Sequence, residues 1–381
     1  MISPLLHKVP KLVVVLSAAL FLSGCWDKVD LQNIGYVTAM GVDYEEGQFK
    51  LYGEMISFNS VAKTETGSAM PGPKKWIGHS EGQTIQIALM ELVKSSQYQL
   101  SIENLKTLVI HERAMRELDE VLDAMNRQRA ARYTIWVYGT RTPFDQLFTT
   151  DQIFNQSPLV SFLYKPDLMF RQVSMYRPLN MQMFIQQQYE RAYTTILTNI
   201  TMVKGDWKTG RKPLSLNVPQ GSFIMNNRRL IGYITESEMK GLRWVLPDFK
   251  QEMLRIEADG HRATVAVDQS VSRLSGMPQG DSARFKLKVK LRVHVVEMKG
   301  ELTKQQVEAE ASRQVHEEIK RTYEAGVEKH ADLLQTRLNL YRYHTAFWKK
   351  YASKDDWMPG KGDMTIEVTT KMTNTGKYDL E

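Results

Sequence analysis

Cysteine is almost absent from this sequence of 381 residues, occurring once, at position 25. A single cysteine excludes an internal disulfide, a cysteine-rich zinc site and, if that thiol is blocked, a cysteine nucleophile. Long apolar runs are also missing. The longest, residues 12–22, would rise only about 16 Å as a helix, against the roughly 30 Å of hydrocarbon that a spanning helix crosses. The chain must therefore be stabilised by an ordinary hydrophobic core.

Metal and phosphate signatures are lacking as well. His111-Glu112 is not followed by a second histidine at the spacing of zinc proteases, and the eight histidines are scattered. We predict neither a GxSxG nucleophile elbow nor a GxxxxGK[ST] phosphate loop. Glu236 and Glu238 could suggest acid–base chemistry, but a helix start, where a carboxylate meets the positive end of the dipole, explains them without it. We predict no enzymatic activity and no catalytic, cofactor-binding or metal-binding residues.

The first 24 residues have the parts of an export signal. Lys8 and Lys11 give a basic start, residues 12–22 are largely apolar, and Ser23 and Gly24 are small. We therefore predict a cleaved signal peptide over residues 1–24. Its removal would lower the formal charge from +7 to +5, a mild surplus that suits an anionic bilayer and does not require nucleic acid.

The end of this segment, Leu22-Ser23-Gly24-Cys25, matches the lipobox of bacterial lipoproteins. There, a diacylglyceryl group is attached to the thiol, the peptide is cut before the cysteine, and the new amino group is acylated. Cys25 is therefore the predicted lipidation site, and its acyl chains would hold the protein at a membrane. The alternatives are a chance cysteine in an ordinary cleaved signal and a buried core thiol.

The first third of the remaining sequence predicts mixed α and β structure. Residues 34–42 and 49–58 are β-rich runs around an acidic, glycine-containing turn, which predicts a hairpin. Residues 59–75 are rich in Ser, Thr, Gly and Pro and predict an exposed, mobile loop. Apolar spacing predicts a helix over 84–96 and then strand, helix and strand between 105 and 138, an order typical of a βαβ crossover with parallel strands.

The middle of the chain contains one informative stretch, residues 221–247. Two β runs surround Asn226-Asn227, which tolerate the left-handed conformation of a tight hairpin turn. Thr235 and Glu238 have capping-box spacing, so we predict a helix from residue 236. A glycine inside that helix, Gly241, costs about 1 kcal/mol relative to Ala, which predicts that another backbone passes close to it.

The last third predicts strands over 262–271, 285–295 and 364–372, and one long charged helix over 302–351, with Gly326 as the place where it would break. The fold class is therefore α+β, with mixed β-sheets flanked by helices and three subdomains. We place a boundary at 205–213, which carries turn signals. The N-terminal part then spans 25–204 and the C-terminal part 213–381.

One strand carries a basic stripe. Between residues 285 and 295 apolar side chains face one way, while Lys286, Lys288, Lys290, Arg292 and His294 face the other. These cations could meet phospholipid head groups or an acidic partner. We favour an ordinary solvated face with helix carboxylates nearby, because lysine on a strand protects against edge-to-edge pairing.

Taken together, these features resemble the Ger(x)C family, the lipoprotein C subunits of spore germinant receptors. The resemblance begins with the lipidated Cys-Trp-Asp start and a Gly-hydrophobic-Asp motif, and continues in KTLVIHERAM, residues 106–115. It is strongest in the stretch from 221 to 244. The matching positions are Cys25, Trp26, Asp27, Gly41, Asp43, Gly221, Gly232, Glu236, Gly241, Leu242 and Trp244. The sequence departs from the pattern at 344–351, where a proline-containing segment is expected before the tryptophan.

The resemblance implies a lipoprotein on the outer face of the spore's inner membrane, in a complex with two polytopic subunits, A and B, that senses nutrients and starts germination. It implies no enzymatic activity, and only the lipidation at Cys25 is carried over as a site. A solute-binding lipoprotein would share the anchor but needs two α/β lobes, and the sequence predicts only one βαβ unit before residue 140. A wall hydrolase needs paired carboxylates or a metal triad in a cleft, and the sequence indicates neither.

Overall fold

The computed structural model describes residues 34–56, 75–128, 132–155, 157–354 and 357–374. Cys25, Trp26 and Asp27 lie outside these ranges, as does nearly all of the predicted loop 59–75. None of the helices within these ranges combines the length and the hydrophobicity that a membrane-spanning helix requires. The described chain forms two β-sheets with helices packed against them, which confirms the α+β class.

The first sheet has nine strands and mixed topology. Its strands are β1 (Ile34–Glu45), β2 (Gln48–Ile56), β3 (Lys75–Gly82), β4 (Gln99–Ser101), β5 (Thr107–His111), β6 (Trp136–Thr140), β7 (Thr195–Thr209), β8 (Lys212–Asn226) and β9 (Arg229–Ile234). They lie in the order β3-β2-β1-β5-β6-β7-β8-β9, with β4 beside β1. The centre is parallel and the outer strands are antiparallel.

The predicted N-terminal elements are present. β1 and β2 form the hairpin, and helix α1 (Ile85–Ser95) begins at Thr84, whose side chain accepts a hydrogen bond from the Ile87 amide. Between the parallel strands β5 and β6, a 3-10 turn leads into helix α2 (Leu118–Arg127). This confirms the βαβ crossover. The apolar faces of α1 and α2 and the inner faces of β1, β2 and β5 form one core.

The poorly periodic region that follows forms short helices and two long strands. Its helices are α3 (Phe144–Phe148), α4 (Pro166–Phe170) and α5 (Met181–Tyr189). The predicted boundary at 205–213 is the tip of the β7–β8 hairpin, and β8 and β9 continue the first sheet. The sheets therefore divide the chain after Ile234. The next turn uses Asn227 and Arg228, both with positive φ, one residue later than predicted.

The second sheet has four strands in sequence order. They are β10 (Glu252–Ala258), β11 (His261–Gln279), β12 (Ser282–Lys299) and β13 (Met364–Asn374). β10, β11 and β12 pair antiparallel, and β13 pairs parallel to β12. Helix α6 (Glu236–Met239) precedes this sheet in the chain. The long helix α7 (Lys304–Glu328) packs across one face of the sheet. Every fourth residue of α7 from Val307 to Ile319 is fully buried there with the apolar side of β12.

The helix predicted over 302–351 is not continuous, and it breaks close to Gly326, the predicted place. Helix α7 ends at Glu328, two residues after Gly326, whose carbonyl accepts a hydrogen bond from the Ala331 amide. Buried Asp332 then begins a new helix, α8 (Thr336–Tyr343), by accepting hydrogen bonds from the backbone amides of Thr336 and Arg337. Residues 344–351, where the family pattern fails, form the short helix α9 (Thr345–Phe347) and most of a π-turn, Trp348–Ala352.

Candidate functional site

The motif residues within the described ranges fall into two groups. Gly41 and Asp43 lie on β1 near the 3-10 turn that follows β5. The positions from Gly221 to Trp244 lie where the first sheet meets α7 and the second sheet. The structure does not bring the two groups into one site.

Asp43 is buried and collects several donors. Arg113 donates to it from Nε at 3.0 Å and from Nη2, the Tyr44 amide donates at 2.8 Å, and Nδ1 of His111 lies 3.1 Å away. Burial alone would raise the pKa of Asp43, but the hydrogen bonds from His111 and Arg113 outweigh it and hold the pKa well below its usual range. The cluster therefore ties β1 to the turn after β5 by a carboxylate that is ionised at neutral pH.

The neighbouring glycine has a packing role. A β-carbon at Gly41 would lie 2.4 Å from the ring of Phe144, which is itself buried. That distance is far inside van der Waals contact, so the ring of α3 rests directly on the backbone of β1.

The second group begins at Gly221, whose φ of +70° belongs to the left-handed region. Its amide donates to the Tyr176 hydroxyl at 2.9 Å, and that hydroxyl donates to Glu236 at 2.9 Å. Burial, joined by the nearby Glu236 carboxylate, raises the pKa of Tyr176, which stays protonated and keeps donating. Glu236 thus joins the start of α6 to the segment before α5.

Gly241 follows α6, in a 3-10 turn of residues Lys240–Val245. A β-carbon there would lie 2.6 Å from the Glu318 carbonyl oxygen and 2.6 Å from the Ile319 Cα, both in α7. Its amide donates to the Thr322 hydroxyl at 2.9 Å, which in turn donates to the Glu238 carbonyl at 2.6 Å. The prediction that another backbone passes close to Gly241 is confirmed, and so is the capping box of Thr235 and Glu238.

Trp244 is completely buried beside a charged cluster that the sequence analysis missed. Its indole nitrogen donates to Glu318 at 2.7 Å. Arg243, stacked on the indole with its guanidinium 4.7 Å from the ring centre, reaches Glu252 at 2.9 Å and Glu318 at 3.0 Å. No sequence spacing pairs these residues, because the partners come from a turn, β10 and α7.

The remaining two motif positions are simpler. Leu242 is buried in the core between the sheets. Gly232 pairs with Ile224 in the β8–β9 hairpin, and a β-carbon there would meet nothing within 4 Å. Nothing in the structure explains a glycine at position 232.

Two further features concern possible catalysis. Residues Gly78–Gly82 read GHSEG, which has the GxSxG spacing of hydrolase nucleophiles, so the prediction that this motif does not occur is wrong. Ser80, however, lies within β3 and donates to the Ala88 carbonyl at 2.6 Å. Within the described ranges no group of three or more His, Cys, Asp or Glu side chains is placed to hold a metal.

Buried Glu54 forms a further polar cluster that the sequence did not reveal. It accepts a hydrogen bond from Tyr164, and its other oxygen lies 3.5 Å from the Lys75 ammonium. Burial raises the pKa of Glu54, and burial next to that carboxylate also raises the pKa of Tyr164. The cluster ties β2 and β3 to the segment before α4.

Two family models together match most of this chain. Residues 27–202 match the family model described as the spore germination protein N-terminal domain, and residues 220–376 match the one described as spore germination B3/GerAC like, C-terminal. The chain belongs to the Ger(x)C family.

Relatives of this Ger(x)C chain are similar over nearly its whole length. Spore germination protein B3 of Bacillus subtilis (strain 168) is 20% identical, over 96% of this chain and 98% of the relative. Spore germination protein KC of the same organism is 21% identical, over 91% of this chain and 89% of the relative. The crystal structure of the GerBC protein matches with a TM-score of 0.56 at 15% identity, covering 91% of this chain and all of that one, which shows a shared fold.

Proposed function

We propose that this protein is the lipid-anchored, non-enzymatic C subunit of a nutrient germinant receptor. Its role lies in spore germination, as the names of its relatives state for those proteins. The observation that carries the proposal is the order of features: a lipobox ending at Cys25 and then two spore germination domains, starting two residues later.

The receptor would sit on the outer face of the spore's inner membrane. Two polytopic subunits, A and B, would be the membrane partners, and Cys25, acylated on its sulfur and its amino group, would be the anchor. The polar clusters around Asp43 and Glu318 act as structural ties, which agrees with a subunit that assembles and positions rather than catalyses.

The test is Cys25→Ala in the spore-forming host, with Ser23→Ala as the matched control. Serine to alanine keeps a small residue in the lipobox, so that variant should stay in the membrane fraction and support nutrient-triggered ion release. Mass spectrometry should show that the Cys25→Ala protein is not acylated. Spores carrying this variant should form in normal yield but should not respond to nutrients. Unchanged nutrient response in a strain lacking the protein, or micromolar solute binding by the isolated chain, would contradict the proposal.

A further inference from the structure

The outward side of β11, β12 and β13 carries an unusual surplus of positive charge. We call it the basic face and define it by the exposed or half-exposed residues Arg273, Arg284, Lys286, Lys288, Lys290, Arg292 and Lys371. Among the outward positions of residues 269–277, 284–292 and 365–373 only Glu367 is acidic. The surplus of six on this one face nearly equals the formal charge of +7 of the whole chain.

The structure removes both reasons for treating this face as ordinary. β12 lies between β11 and β13, so its lysines do not protect an edge strand. Helix α7 packs on the opposite, apolar side of the sheet, so its carboxylates do not neutralise the stripe. Beyond the end of the face, Asp268 pairs with His294 at 2.7 Å.

Within the face, like charges stand directly opposite each other. Lys288 pairs across the strands with Arg273, and Arg292 with Lys371. Opposed like charges destabilise a sheet. Only Lys286, 2.5 Å from Glu367, has a close carboxylate, and Lys288 lies 3.9 Å from the same residue.

Strands β1 and β2 of the first sheet show the opposite arrangement. Lys50 on β2 lies 2.8 Å from Glu45 and 3.6 Å from Glu81, and Arg113 beside β1 contacts Asp43 and Glu45. In this part of the first sheet the cations therefore have carboxylate partners. The basic face keeps a destabilising arrangement, which indicates a ligand of opposite charge.

We propose that the basic face docks on the anionic head groups of the bilayer that carries the anchor. This inference rests on the proposed acylation of Cys25. Eight residues lie between Cys25 and the start of β1 at Ile34, so the two positions are at most about 30 Å apart along the chain. A body held so near the surface needs only weak attraction, and each basic residue near an anionic leaflet strengthens binding about fivefold.

The shape of the face favours a bilayer over an acidic protein. It is one side of an extended sheet, and none of its seven residues lines a cavity described in this structure. Its scattered apolar members, Val271 and Met277, are half exposed and separated by charges, unlike the packed apolar centre of a protein interface. Docking would turn α7 away from the membrane, toward the outside.

The test is vesicle co-sedimentation of the full chain with Cys25→Ala, which removes the acylation site. The vesicles are phosphatidylcholine alone or mixed with phosphatidylglycerol, at about 0.1 M and about 1 M salt, where screening shortens the Debye length from about 10 Å to about 3 Å. The face variant is Lys288→Glu, Lys290→Glu and Arg292→Glu. The matched control, Lys304→Glu, Lys320→Glu and Arg321→Glu, makes the same charge change at exposed positions of α7.

The parent chain should bind the anionic vesicles far better than the neutral ones, and high salt should abolish the difference. The face variant should lose at least about 100-fold in binding, since three fivefold contributions are removed and three negative charges are added that the anionic head groups repel. The control variant, with the same leader segment, should stay within a few-fold. Circular dichroism should show both variants folded.

Equal loss in both variants would overturn the proposal, because net charge alone would then explain the binding. Equal binding of the parent chain to both kinds of vesicle would also overturn it. So would a face variant that keeps vesicle binding but loses co-purification with a receptor subunit, since the face would then meet an acidic protein. The vesicle-binding readouts measure neither germination nor receptor assembly, so they can fail independently of the receptor assignment.

Discussion

The contact between Gly241 and α7 gives the sharpest test of how this fold is held together. Gly241→Ala would place a methyl group 2.6 Å from two backbone atoms of α7, where the neighbour is not a flexible side chain that could move aside. Overpacking of this kind costs about 1–3 kcal/mol. Moving the turn would also weaken the hydrogen bond from the Gly241 amide to Thr322, worth about 1 kcal/mol.

Helix propensity works in the other direction. Alanine is better than glycine in a helix by about 1 kcal/mol, so a turn that tolerated the methyl group would become more stable. Weighing these terms, we expect Gly241→Ala to lower the free energy of unfolding by about 2 kcal/mol, which reduces the folded-to-unfolded ratio about 30-fold.

Gly232→Ala is the matched control, because a β-carbon there meets nothing within 4 Å. Alanine should stabilise that strand by about 0.5–1 kcal/mol. Urea unfolding followed by circular dichroism measures both variants. Thr322→Val replaces the hydroxyl by a methyl group and removes its hydrogen bonds with both Gly241 and Glu238, so its cost sets an upper limit on the hydrogen-bond term. If Gly241→Ala were as stable as the parent protein, the close approach of α7 would not be the reason for this glycine.

Three more substitutions test the other polar and backbone contacts. Asp43→Asn should lower the free energy of unfolding at neutral pH. Because folding lowers the pKa of Asp43, the stability difference between parent and variant should be full above the ordinary pKa of 3.8 and should shrink as the pH falls below it. A difference in urea midpoints that did not change with pH would refute this reasoning. Glu318→Gln leaves Arg243 with one buried carboxylate and should cost about 3 kcal/mol in urea unfolding, while the same change at exposed Glu317 should cost almost nothing. Gly221→Ala would place a β-carbon on a residue with positive φ and 2.2 Å from the Tyr233 hydroxyl. In Gly210→Ala the β-carbon meets nothing within 4 Å, so that variant has only the left-handed strain of about 1 kcal/mol. The melting temperature of Gly221→Ala should therefore be well below that of Gly210→Ala.

The spacing of apolar residues predicted those strands and helices in which one face is buried and the other is exposed. β12 alternates strictly and α7 repeats every four residues, so both were predicted from the chain alone. β10 was missed because its first residue, Glu252, is buried on the core side while Met253 is exposed, the reverse of the usual pattern. That reversal exists because Arg243 neutralises Glu252.

Some contacts of the candidate site were also predictable from the sequence and others were not. A glycine inside a predicted helix indicated a nearby backbone, and Gly241 has one. The cluster of Arg243, Trp244 and Glu318 joins residues more than 70 positions apart, and only the tertiary fold brings them together. The break after Glu328 depends on buried Asp332, whose role as a helix cap is not visible in a run of otherwise helix-forming residues.

The parallel pairing of β13 with β12 constrains the order of events at synthesis. Its register joins residues about 80 positions apart, such as Phe285 with Met364 and His294 with Asn374, and such distant pairing is slow because a long loop must close first. The second sheet therefore acquires its final strand only after synthesis has continued through Asn374. A chain truncated before Met364 would leave one side of β12 without its neighbour, so this half of the molecule cannot complete its sheet while synthesis is still in α7 or α8.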